Sequence, residues 1–233
     1  MTLFRPVPNH ELLRKGISDA LKHARLHRRL GHGINSRNSS KPAVSQKPPT
    51  FTEAMQRTQN RLEETLGQGC TIDIHLALTP DLIKTILYVD SKKFREELQY
   101  KHEEVLFHGS LRGFILILAH CGDRPLGLAY GYDEGENGFF LDTLASMVES
   151  KGIGSILATL MIIYALETKH SHVTLYTEEM DEKGRKLRRF YEQIGFKFLG
   201  SEEGKGDVMR MQLAQEKIAA LSTKHIVQRS SKK

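Results

Sequence analysis

Residues 138–166 read GFFLDTLASMVESKGIGSILATLMIIYAL, an apolar stretch that passes through a glycine pair into a longer one. Residues 138–147, largely aromatic and aliphatic, follow the turn residues Gly135-Glu136-Asn137 and predict a strand. Alternation along it places Asp142 on the face of Phe140, Leu144 and Ser146, opposite Leu141 and Ala145. Gly152 to Lys169 then predicts a helix. Its longest apolar run, Ile156 to Leu166, holds Thr159 and Tyr164 and is far short of the roughly 18 residues of a membrane span. Gly152 and Gly154 stand where strand gives way to helix. Glycine permits a tight turn and close approach, and a helix start offers free amides and the positive end of its dipole. Such a mouth suits a pyrophosphate.

Upstream, TIDIHLAL (71–78) alternates as a strand, and Thr79-Pro80-Asp81 opens a helix with an apolar body, LIKTILYV. Ser91 to Val105 predicts a second, charged helix. FILILAHC (114–121) and PLGLAYGYDE (125–134) flank Gly122-Asp123-Arg124 as a hairpin, and 138–147 follows as the next strand. Downstream, HVTLYT (172–177) is a strand, Lys183 to Ile194 a helix stopped by Gly195, and FKFLG (196–200) and DVMRMQL (207–213) two last strands. Three successive hairpin-linked strands exclude a regular βαβ array. The expectation is an α/β (α+β mixed) fold: a mixed, mostly antiparallel sheet of six to seven strands with helices on both faces.

The 233 residues carry a formal charge of +6, unevenly distributed. Residues 1–67 hold 12 basic and 5 acidic side chains, 68–213 hold 17 and 22, and 214–233 hold 5 and 1. A mildly acidic body between basic flanks argues against nucleic acid as partner of the body. Cys70 and Cys121 are too few for a disulfide framework, so a reducing, cytoplasmic setting is expected. No His/Cys cluster has metal-ligand spacing, and no metal is expected.

The first 34 residues are expected to form a basic amphipathic extension, helical over His10 to Leu30. Its partner would be acidic or anionic, and Glu11 and Asp19 argue against a transit peptide. Residues 35–50, rich in Ser and Pro, read as a disordered linker. Thr50 and Glu53 have the spacing of a capping box, opening a helix over 51–67 that precedes a domain spanning 68–213. Residues 214–233 read as a basic tail, helical at first.

The glycine pair does not belong to a dinucleotide fold. The third glycine of that fingerprint would fall on Leu157, and the strand before it is not the first of a βαβ unit. A second stretch, GRKLRRFYEQIGFKFLGS (184–201), carries Phe190-Tyr191 on a helix closing at Ile194-Gly195-Phe196. GIGSIL after a strand, then FYEQIGF running into another strand, in this element order, resembles the GNAT superfamily of N-acetyltransferases over residues 71–213.

The resemblance implies acetyl-CoA, or another acyl-CoA, as cosubstrate and an amine-bearing small molecule or protein as acceptor. The 138–147 strand would splay from HVTLYT. The pantetheine arm would lie in the gap against the backbone of Leu144, Ala145 and Ser146. The pyrophosphate would sit on the amides of Lys151, Gly152, Ile153, Gly154 and Ser155. The amine would attack the thioester directly, with Tyr191 as general acid on the leaving thiolate and Asp142 or Glu178 as candidate base. His75 and His120 read as strand residues. Two positions depart from the family pattern: Glu149 replaces the usual Gln or Arg, and Gly184 a frequent Asn. They support an alternative, a catalytically degenerate GNAT module that binds CoA or a protein partner. In a third reading the chain is a targeting protein that works through its basic N-terminal helix.

Overall fold

Thr50 opens the first helix of the computed structural model, which describes residues 47–181, 184–203 and 205–226. The expected 10–30 helix and linker residues 35–46 lie outside them. The Thr50 hydroxyl accepts from the Glu53 amide (3.2 Å), and the Glu53 carboxylate accepts from the Thr50 amide (2.9 Å). This reciprocal cap starts α1 (Phe51–Leu66). From α1, the Gln59 side chain donates to the Cys70 carbonyl (2.9 Å) and accepts from the Ile72 amide (3.1 Å). It thereby covers backbone groups of an edge strand, β1 (Cys70–His75).

Next come α2 (Pro80–Lys93), a short 3-10 turn (Glu96–Leu98) and α3 (His102–Gly109). Strands β2 (Ile115–Cys121), β3 (Arg124–Glu134) and β4 (Gly138–Ser146) lead into α4 (Ile153–Glu167). Then follow β5 (His172–Thr177), α5 (Leu187–Ile194), β6 (Lys197–Glu202), β7 (Gly206–Gln212) and α6 (Gln215–His225). The seven strands form one sheet in the order β1-β2-β3-β4-β5-β7-β6. Only β4–β5 is parallel. This is the mixed sheet the element order implied.

Helices cover both faces. On one, Ala54 and Leu62 of α1, the body of α4, and Ile218 and Leu221 of α6 form a core with Ile115, Ile117, Phe139 and Leu141. On the other, Ile83, Ile86 and Val89 of α2 and Val105 of α3 meet Leu116, Leu118, Leu128 and Ala145. α4 is apolar all round because the sheet lies on one side of it and α1 and α6 on the other. Burying Leu160, Met161 or Ile162, each 0% exposed, contributes roughly 1.5–3 kcal/mol relative to exposure.

Several expectations are corrected. The single helix over 91–105 is broken. The buried Asp90 carboxylate accepts the Tyr100 amide (2.6 Å), which turns the chain back before α3 begins. The first strand ends at His75 and leaves Leu76 exposed. The helix expected from Lys183 starts at Leu187. The 214–233 segment begins with the helix α6, and Ile218 and Ile226 are sealed in the core. Cys70 and Cys121, opposite each other in β1 and β2 with Cα atoms 4.0 Å apart, form a disulfide. Two cysteines make no framework, but sheet register brings them together, so their number gives no argument for a reducing setting. Among the described residues no helix is long and apolar enough to cross a membrane.

Candidate functional site

The β4–β5 ladder holds three parallel pairs, Gly138–His172, Phe139–Val173 and Phe140–Thr174, and then stops. β4 runs on to Ser146 and β5 to Thr177, so the sheet opens between them. Leu144, Ala145 and Ser146 stand on the β4 arm, and the α4 loop follows directly.

β4 also carries a bulge. Tyr130 pairs with Thr143 and Gly131 with Leu141, which leaves Asp142 as the extra residue. Gly131 allows it: a Cβ there would lie 2.3 Å from the Phe140 carbonyl oxygen. The bulge resets the alternation. Before it, Phe139 and Leu141 face the α4 core; after it, Leu144 packs on that core and Ala145 on the α2 core. Asp142 therefore does not share a face with Leu144 and Ser146, as strict alternation predicted. It turns with Phe140 toward the opposite side, where the Tyr132 ring meets Phe140 at 5.6 Å.

There Asp142 is enclosed, its side chain 2% exposed. It accepts from the hydroxyls of Tyr132 (2.7 Å), Tyr100 (3.0 Å) and Thr143 (3.1 Å). Burial first, and the Asp142 charge second, push the Tyr100 and Tyr132 phenols well above their ordinary pKa. Asp90 sits behind Tyr100, its carboxyl raised by burial to about 6. Tyr100 and Tyr132 were invisible in the sequence, because no motif spacing marks them and only the bulge and the broken helix gather them at Asp142.

At the mouth of α4, Gly152 is the N-cap in left-handed conformation (φ 75°), with no side-chain cap. A Cβ there would touch nothing within 4 Å, so the space beside it is open. Helix bonding begins with the Ile156 amide on the Gly152 carbonyl (3.0 Å), leaving the amides of Ile153, Gly154 and Ser155 without an intrahelical acceptor. Lys151 is exposed beside them. Glu149, an acid in this loop, is met by the Arg185 guanidinium (3.4 Å) from the segment before α5. The sequence held no sign of that contact.

The two sequence motifs meet here. A Cβ on Gly154 would lie 3.7 Å from the Phe190 ring and 4.0 Å from the Ser146 Cβ, which puts α5 against the start of α4. Tyr191 on α5 packs edge-on to Phe190 (5.1 Å) and Phe196 (5.8 Å), and burial pushes its phenol up. Glu178 follows the end of β5 and is bonded to Arg95 from the α2–α3 connection. His75 lies in β1, and His120 in β2 bonds Asp73 (2.6 Å) and the Gly122 carbonyl (2.7 Å), both across the sheet from the opening. Among the described residues no group of three or more His, Cys, Asp or Glu could hold a metal.

No family model and no curated protein sequence matches the chain. Solved structures do. An acetyltransferase assigned to the GNAT family from Desulfovibrio desulfuricans superposes with a TM-score of 0.51 at 19% identity, covering 62% of this chain and 99% of its own. This chain has the GNAT fold. The aminoglycoside 6'-N-acetyltransferase of Enterococcus faecium superposes with a TM-score of 0.51 at 17% identity, covering 61% of this chain and 97% of its own. An aminoglycoside 6'-acetyltransferase of type Ii gives 0.52 at 18% identity over 61% and 97%. At such identities the likeness is one of fold, and the GNAT fold by itself names no acceptor.

Proposed function

We propose that the chain is an N-acyltransferase, carrying an acetyl or other acyl group from acyl-CoA to an amine by direct attack. The observation that carries this reading is the β4–β5 ladder that ends at Phe140–Thr174 beside a glycine-started helix. An extended thioester arm fits such a gap, because the arm of β4 beyond Phe140 has no β5 partner and offers backbone donors and acceptors there.

In this reading the backbone of Leu144, Ala145 and Ser146 holds the pantetheine. The amides of Gly152, Ile153, Gly154 and Ser155 hold the pyrophosphate, with Lys151 adding a charge-assisted contact. Arg185, which also binds Asp181, stands 3.4 Å from Glu149 and offsets part of that acid's charge near the anion. Bound acyl-CoA would supply an activated acyl group. Amides near Leu144 would polarise its carbonyl, and Tyr191 would protonate the leaving thiolate. Tyr191 is protonated at neutral pH as any phenol is, and burial, which raises its pKa, makes it a weaker acid than a phenol in water. Both candidate carboxylates are engaged: Glu178 is bonded to Arg95, and Asp142 is enclosed by three hydroxyls.

The test is thiol release from acetyl-CoA across a panel of amines that includes a basic peptide. Free CoASH with at least one amine is expected. CoA binding without turnover on any of them would favour the degenerate module.

A further inference from the structure

The Asp142 cluster contains a side chain that the acyl-transfer reading has not used. His108, near the end of α3, lies 3.6 Å through Nδ1 from Asp142 Oδ2, and its Nδ1 is 3.5 Å from the Tyr130 hydroxyl. Its ring is held edge-on to Tyr100 (4.9 Å) and tilted against Tyr132 (5.6 Å) and Tyr130 (6.1 Å). Among the described residues it is the one basic side chain within 4 Å of the Asp142 carboxylate. Asp142 Oδ1 already takes two hydroxyls, from Tyr100 and Thr143, whereas Oδ2 takes only Tyr132. A carboxylate oxygen accepts about two hydrogen bonds, so Oδ2 has room for one more donor, and Nδ1 faces it.

We propose that His108 is the base of the reaction, taking the proton of the incoming ammonium at Nε2, and that Asp142 is the positioning residue that holds Nδ1–H. This deepens the acyl-transfer reading and rests on it. Nδ1–H directed at Asp142 leaves Nε2 as the nitrogen with a free lone pair. Nε2 makes no hydrogen bond among the described residues and is not sealed from solvent, and the side chain is 14% exposed. The 3.6 Å separation is beyond a direct hydrogen bond, and the charge of an imidazolium draws such a pair together.

The charged and titratable groups facing the pair are Asp90 from α2, Tyr100 from the α2–α3 connection and Glu104 from α3. Tyr130 and Tyr132 face it from β3. All are acidic or neutral, and the phenols, raised by burial and by Asp142, remain donors and do not compete as bases.

An ammonium N–H bond breaks, the proton goes to His108 Nε2, and the nitrogen keeps the electron pair. That pair forms the C–N bond, and the C–S bond breaks with its electrons on sulfur. The thiolate takes a proton from Tyr191, which is reprotonated by the second proton leaving the new amide nitrogen. The proton on His108 passes to water.

The test measures CoASH release from acetyl-CoA against pH for the full chain and for His108→Gln, His108→Ala and Asp142→Asn. His108→Gln is expected to lower kcat at pH 7 by about 100-fold, the size of general-base catalysis, with KM for acetyl-CoA unchanged. It should also lose the acidic limb of the kcat/KM profile. Added imidazole should restore part of the His108→Ala rate, a rescue that a packing defect would not show. Asp142→Asn should lower kcat severalfold with KM for acetyl-CoA unchanged, because Nδ1–H loses the carboxylate that orients the ring, and added imidazole should not restore its rate. If wild type is active and His108→Gln follows its pH profile at full height, the assignment is overturned while acyl transfer stands. An Asp142→Asn protein with undiminished kcat overturns the positioning role. A wild-type chain that releases no CoASH with any amine overturns both readings.

Discussion

Replacing Gly154 by alanine separates what the α4 mouth does for folding from what it does for binding. Gly154 is the second residue of α4 and its φ is not positive, so alanine fits the backbone. The new methyl would meet the Phe190 ring at 3.7 Å and the Ser146 Cβ at 4.0 Å, both ordinary contacts. Alanine exceeds glycine by about 0.8–1.0 kcal/mol in a helix interior and by roughly half that in a first turn. The free protein should therefore gain about 0.5 kcal/mol, a rise of roughly 1–2 °C in Tm for a domain of this size. The same methyl fills the space between Ser146 and Phe190, beside the amides assigned to the pyrophosphate. CoA affinity should fall by about tenfold, equivalent to about 1.4 kcal/mol.

Thermal melts of the free protein, and calorimetric titration with CoA, read the two effects separately. Gly152→Ala is the contrasting arm. Its methyl touches nothing, yet the left-handed φ of 75° costs an L-residue about 1–2 kcal/mol, so the free protein should melt several degrees lower. A Gly154→Ala protein that binds CoA within twofold of wild type would refute the placement of the pyrophosphate at this loop. A Gly154→Ala protein that melts lower would refute the packing argument.

Tyr191→Phe should cut kcat by about 100-fold with little change in CoA affinity, measured by steady-state thiol release and titration; undiminished turnover removes Tyr191 from its role. Asp90 is held to about 6 by burial, so its folded pKa is raised. Its contribution is full below the unfolded carboxylate value near 4 and is lost as pH rises through 6, at a cost of roughly 2–3 kcal/mol. Asp90→Asn should flatten the fall in urea midpoint between pH 4.5 and 7.5 relative to wild type, and parallel curves would sink the assignment. The Cys70–Cys121 bond spans 51 residues, and its reduction should remove about 4 kcal/mol in the chain-entropy account. Melts with and without reductant, with alkylation and intact mass to confirm the redox state, check this.

Strand and helix order were legible in the sequence because each element carries its own periodicity or cap. Thr50 and Glu53 make their box within four residues, and α4 declares burial by being apolar throughout. The glycine pair and FYEQIGF could be read as motifs for the same reason: each acts through local backbone, at a turn or a helix end. Asp142 could be singled out as a charge in an apolar strand, but its direction could not. Alternation assumes an unbroken ladder, and the bulge that turns Asp142 away from Leu144 arises from pairing with Tyr130 and Gly131 on another strand.

The sequence by itself determined the order of the main strands and helices, the mixed sheet and the two motifs, since these follow from residues near one another along the chain. Only the tertiary structure decided who surrounds Asp142. Tyr100, His108 and Tyr132 come from a connection, a helix and a strand, at 42, 34 and 10 residues' remove. The bond of Asp90 to the Tyr100 amide and the β4 bulge bring them together. The Arg185–Glu149 and Cys70–Cys121 contacts have the same origin: each partner's residue type was plain, and only the register and packing of distant segments set it within reach.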